Sequence, residues 1–345
     1  MRYGTVLISL LAAALAGCGG SSAEEQDAQS PTLPAEATAT VLDFRLEGWE
    51  NTDFARHSVP FDEFLSGGPP KDGIPALDAP RFASVSATAF LESREPVIEL
   101  TVDGETRAYP IQILIWHEIV NDELGGVPVA VTFCPLCNTA IAFDRRVDGR
   151  TLDFGTTGKL RHSDLVMYDR QTESWWQQFG GEALVGRYTG TRLERLPARI
   201  VAWADFARSH PGARVLTRET GFDRAYGSNP YQGYDDIDSP PIFPVDEDDR
   251  LPPKERLVYV ERDGESVAVP YSVLARKRVI RVALGASELV VRWRGGVASA
   301  LDTGEIASGR DVGAADVTEN GRRVPFSEPF WFALAAFDPD VHIAR

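Results

Sequence analysis

The sequence predicts an α+β fold rich in β-structure, made of two copies of a strand–turn–strand–short helix–hairpin unit packed as one or two lobes. Three observations predict it. Short runs of β-branched and aromatic residues recur between Gly, Pro, Asn and Asp turn formers. The last hundred residues alternate short β patterns and close on an apolar, partly helical stretch from Phe326 to Phe337. A shift of 160 residues lays the chain on itself without a gap. Asp103-Gly104-Glu105 then falls on Asp263-Gly264-Glu265, Ala108 on Ala268, Pro110 on Pro270, Leu114 on Leu274, Leu124-Gly125 on Leu284-Gly285, and Phe133 on Trp293.

Taken in order, residues 1–17 have the charge, short apolar run and small residues of a lipoprotein signal, ending Leu15-Ala16-Gly17-Cys18. Cys18 is therefore the expected lipid attachment. Residues 18–40 are rich in Ser, Ala, Glu, Gln, Pro and Thr, too polar to offset their ordering entropy, and read as a flexible tether. Residues 41–240 make the first unit and 241–345 a second, degenerate one. Gly67 to Pro75 is a run of turn formers. Pro96 to Val102 and Glu105 to Tyr109 read as a hairpin, and Pro110 suits the start of a short helix from Ile111 to Trp116. Phe154 to Asp169 reads as strand, glycine turn and strand, and Ala204 to His210 as a helix ended by Pro211-Gly212.

A formal charge of -16 argues against nucleic acid as a partner, because nothing here neutralises a phosphate backbone. Gly155-Thr156-Thr157-Gly158-Lys159 lacks the glycine spacing of a phosphate loop, so no nucleotide is expected. Of three cysteines, Cys18 is assigned to lipid, leaving Cys134-Pro135-Leu136-Cys137. Asn138 follows where a haem attachment needs His, so haem is not expected either. A bridge closing so short a loop removes little chain entropy, so stability does not account for the pair.

The joint pattern resembles the bacterial and archaeal domain-of-unknown-function family 3179. It is carried by Gly67 to Pro75, Ala108-Tyr109-Pro110, His117 to Asp122, Cys134 to Cys137, Leu165 to Arg170 and Ser174 to Gln177. The resemblance covers most of residues 61–271 and implies no activity, since the family is defined without one. The chain departs from the pattern at His162, where a small polar residue is expected.

Two strand-like runs, Glu118 to Asp122 and Val127 to Phe133, flank Glu123 to Gly126. A four-residue loop there sets Asp122 opposite Val127 and His117 opposite Thr132, about 5 Å between Cβ atoms and within two residues of Cys134. Pro128 restricts the second run to a sheet edge.

Three readings of the cysteines follow. As metal ligands, Cys134, Cys137 and His117 suit Cu or Zn, for delivery or sensing, with Met167 and His162 as weaker ligands. Glu118, Asp122 and Asp144 would orient the ligands from outside. As a dithiol, the pair would exchange disulfides, although Asn138 to Phe143 reads as strand where a thioredoxin-like site needs a helix. As a structural pair, they would leave function to an aromatic surface of Tyr168, Trp175 and Trp176. Partners are then the membrane, through the N-terminal lipid, and an extracytoplasmic metal- or redox-partner protein. Replacing Cys18 by Ser is expected to release the protein from the envelope or leave it uncleaved. Fractionation that finds the variant as firmly membrane-bound as the wild type would contradict the lipid assignment.

Overall fold

The structure, a computed structural model, describes residues 48–345. The signal, Cys18 and the tether lie outside the described residues. The fold is β-rich, with 40% strand and 12% helix. Five sheets of three to five strands stand in a propeller-like arrangement, joined by one two-stranded ribbon.

Pro96–Val102 and Glu105–Pro110 pair as the sequence predicts, around Asp103 and Gly104 at positive φ. Pro110 fixes the entry to the helix Ile111–His117, whose apolar residues all pack into the core except the half-buried Trp116. Glu118 then takes φ +57, and its N–H donates to Leu114 O, so the chain turns sharply into the strand Ile119–Leu124.

That strand forms a sheet with Val127–Cys134, Thr139–Asp144 and Arg195–Leu196, antiparallel throughout. The expected four-residue loop is a two-residue turn. Gly125 and Gly126 both have positive φ, as a tight hairpin requires, and Leu124 pairs with Val127. The register moves by two, so Ile119, not His117, faces Thr132. Pro128 does not mark an edge either, because Val127–Cys134 lies between two partners. Proline is tolerated here at the second residue of the strand, where its carbonyl accepts from Arg145 N at 2.9 Å.

A second sheet runs Phe64–Ser66, Phe154–Arg161, Asp164–Asp169, Trp175–Gln177, Ala183–Val185. The expected glycine turn in this stretch is a bulge instead. The register shifts between Thr156 and Lys159, and a Cβ on Gly158 would meet Pro69 O at 2.0 Å. His162 and Ser163, both at positive φ, make the turn.

The main core gathers Ile98, Leu100, Ile113, Phe133, Phe143, Phe154 and Trp176 with Val297, Leu301, Phe330 and Phe332. Residues on both sides of position 240 thus share one interior. Lys254 is buried across this junction. Its Nζ donates to Tyr234 O at 2.9 Å and Pro240 O at 3.3 Å, and lies 3.3 Å from the Tyr234 ring centroid.

Candidate metal centre

Cys134 is the last residue of its strand, Pro135 and Leu136 make the turn, and the strand Thr139–Asp144 opens directly after Cys137 and Asn138. Cys134 pairs with Thr139, so the Cys-x-x-Cys segment is the tip of a hairpin. Asn138 holds φ +60, a conformation its short polar side chain tolerates. Groups far along the chain clamp this tip. Tyr234 Oη donates to Leu136 O at 2.9 Å, Phe330 N to Cys137 O at 2.9 Å, and Asn138 Nδ2 to Glu328 O at 2.8 Å. Both cysteines are free thiols and buried.

A third group meets them. Asp164 opens the strand Asp164–Asp169 after the His162-Ser163 turn and is 0% exposed. Its Oδ1 lies 2.8 Å from Cys137 Sγ. Its Oδ2 accepts from Gln177 Nε2 at 2.5 Å and from Phe179 N at 2.9 Å. One ligand atom each from Cys134, Cys137 and Asp164 lie within 4.8 Å of one another. Cys134 Sγ faces Ser163 O at 4.0 Å. Thr139 Oγ1 lies 2.9 Å from Cys137 Sγ and donates its own proton to Gln178 Oε1 at 2.7 Å, an oxygen that can only accept. Thr139 therefore offers Cys137 a lone pair.

Cys137 has one S–H proton and two close oxygens, so both contacts are hydrogen bonds only when Asp164 carries a proton as well. The electrostatics agree. Burial pushes Asp164 up to about 6 and raises both thiols, Cys137 well above the ordinary range. Burial, then the neighbouring Asp164 charge, pushes Glu118 up to about 8. Burial thus favours the protonated form of each member of the cluster, and a cation is what would let them ionise together.

His117 does not join them. It ends the helix, its Nδ1 donates to Pro75 O at 2.7 Å, and its Nε2 accepts from Tyr226 Oη at 2.6 Å. Burial, and after it the Arg224 charge, hold it down to about 4, hence neutral. The two-residue register shift and the turn at Glu118 are why it misses.

The other expected residues separate as follows. Met167 lies mid-strand between Thr156 and Trp176 as core filling. His162 sits in the turn, with Nε2 3.6 Å from Glu63 and its ring edge-on to Phe337. Asp122 binds Arg107 at 2.6 Å and accepts from Tyr109 Oη at 2.7 Å, and Asp144 is ion-paired to Arg146. Only Glu118 of the three expected outer carboxylates lies by the cluster. Tyr168, Trp175 and Trp176 are interior, so they form no aromatic surface. Trp176 Nε1 donates to Asp169 Oδ2 at 2.9 Å. The sequence reading missed Asp164 and Gln177. Both adjoin or lie within the quoted Leu165 to Arg170 and Ser174 to Gln177 motifs, which was the available signal.

Searches of the curated proteins and of the solved structures found no match to this chain. A family model described as "Protein of unknown function (DUF3179)" matches residues 71–341, which include the whole cluster and the strands that carry it. The chain belongs to that family.

Proposed function

We propose that the protein binds a transition metal, zinc in preference to copper, through Cys134, Cys137 and Asp164, for delivery or sensing outside the cytoplasm. The observation that carries this reading is three ligand atoms within 4.8 Å, all on fully buried residues. Zinc bonds sulfur at about 2.3 Å and carboxylate oxygen at about 2.0–2.2 Å, so ligands around one ion sit about 3.5–3.8 Å apart. To reach that spacing the 2.8 Å contact of Cys137 with Asp164 would open, and any separation up to the 4.8 Å limit would close by about 1 Å. A carboxylate beside two thiolates favours Zn(II), because Cu(I) selects soft sulfur donors. Asp164 takes the place the sequence had suggested for His117.

One observation favours thiol–disulfide exchange: Asp164 lies where it can take the Cys137 proton. Against it, a strand rather than a helix N-terminus follows Cys137, and burial raises both thiols instead of lowering them. A competition titration with a chromophoric chelator on the reduced protein separates the readings. Cys134→Ser is expected to abolish tight zinc binding, Asp164→Asn to weaken it at least about tenfold, and His117→Ala to change it by less than about threefold. Equal, weak binding by the wild type and all three variants would leave only the disulfide readings.

We also propose that residues 257–294 are a second copy of 97–134. In support, Glu265–Pro270, Tyr271–Lys277, Val279–Leu284 and Ser287–Arg294 each begin and end 160 residues after an element of the first segment. Arg278 repeats the positive φ of Glu118 at the same helix end. Sequence profiles of the two segments, built from many family members, are expected to detect each other. Profiles that do so no better than unrelated β-hairpins would reduce the likeness to coincidence.

A further inference from the structure

Cys134 and Cys137 are 1% and 0% exposed, so nothing reaches either sulfur until a covering segment moves. The strands that carry them are tied into ladders on both sides, which makes them costly to displace. Residues 236–253 are built differently. They form no helix or strand, and five of them are prolines, which have no N–H to donate. Buried residues pin the two ends. Asp235 is ion-paired to Arg256 at 2.9 Å and to Arg310 at 2.8 Å, and Lys254 Nζ donates to the carbonyls of Tyr234 and Pro240. Lys254 N also donates to Ile237 O at 3.2 Å, so the ends of the segment meet as in an Ω-loop.

Between those ends Phe243 alone is buried. It belongs to the core that also holds Cys134, Leu136 and Cys137, and its carbonyl accepts from Ser163 Oγ at 3.1 Å. The Ser163 carbonyl in turn faces Cys134 Sγ at 4.0 Å, so Phe243 is tied to a residue that covers this sulfur. The rest of the loop is loosely packed. A cavity of about 740 Å³ lies among its own residues, met from outside the loop by Phe332. A segment held by one aromatic anchor and a few hydrogen bonds opens at lower cost than a paired strand. We infer that residues 236–253 are a lid over the cysteine pair. Swinging about the neck at Asp235 and Lys254, it withdraws Phe243 and admits an ion or a small reagent to Cys134 and Cys137 while the rest of the fold stays closed. The inference concerns access to the sulfurs and does not depend on the metal reading.

The test is N-ethylmaleimide labelling of the reduced, metal-free full chain, read on the peptide that carries Cys134 and Cys137, at rising urea. Opening a lid exposes little surface, so the wild-type rate should be nearly independent of urea below the unfolding transition. Phe243→Ala should raise that rate at least about tenfold, and Lys254→Met, which keeps Phe243 but loosens the neck, at least about threefold. Val291→Ala, which opens a cavity in a different apolar cluster, should leave it within about twofold. A wild-type rate that climbs with urea as steeply as global unfolding would overturn the lid. So would a Phe243→Ala rate no higher than that of Val291→Ala. If Phe243→Ala does not fold, the wild-type urea dependence and Lys254→Met decide, and a Lys254→Met rate equal to that of the wild type overturns the inference.

Discussion

A carboxyl buried against a thiol with no countercharge is the contact on which the rest of the centre depends. Asp164 is fully buried, its nearest sulfur is 2.8 Å away, and no arginine or lysine pairs with it among the described residues. Such a group is tolerable only when neutral or when neighbouring donors satisfy it. Gln177 and the Phe179 amide do so on one oxygen, which is why the strand Trp175–Gln177 must pack where it does. Thr139, Gln178 and Thr132 extend the chain of hydrogen bonds behind Cys137. The hairpin tip is fixed in turn by Tyr234, Glu328 and Phe330, so the loop after residue 217 and the C-terminal segment both bear on the thiols.

That arrangement is why we propose metal binding over disulfide exchange. A reactive dithiol needs one thiolate made cheap, by a helix N-terminus or a cation, and partly exposed to its partner. Here both sulfurs are buried beside two carboxyls, and every one of these four groups is pushed towards its protonated form. On the proposed reading a divalent ion would reverse the balance, replacing protons on three groups whose atoms lie within 4.8 Å of one another. Softness of the two sulfurs and hardness of the oxygen together suit zinc.

Much of the local structure was legible in the sequence because its causes are local. Asp103-Gly104 turns a hairpin, Pro110 starts a helix, and Cys134 to Cys137 interrupts two apolar runs and so became a tip. His117 was misplaced for two local reasons that compound. The helix runs through it, and Gly125-Gly126 makes a turn two residues shorter than the four-residue loop expected over Glu123 to Gly126. Asp164 was beyond such reasoning. It comes from a different sheet, at the start of a strand whose turn is made by His162 and Ser163 at positive φ, which neither residue type advertises. The Trp175-Trp176 pair shows the converse. The sequence reading offers the pair as an aromatic surface if the cysteines are structural, but both indoles are buried in hydrophobic clusters.

The central claim is a mixed sulfur and oxygen donor set without imidazole. Zinc K-edge X-ray absorption on protein purified from its host addresses it most directly. The account predicts two sulfur scatterers at about 2.3 Å and oxygen at about 2.0–2.2 Å, with no outer-shell signature of a histidine ring. A bound imidazole, a shell of oxygen alone, or metal-free protein whose Cys134 and Cys137 are joined as a disulfide would contradict it.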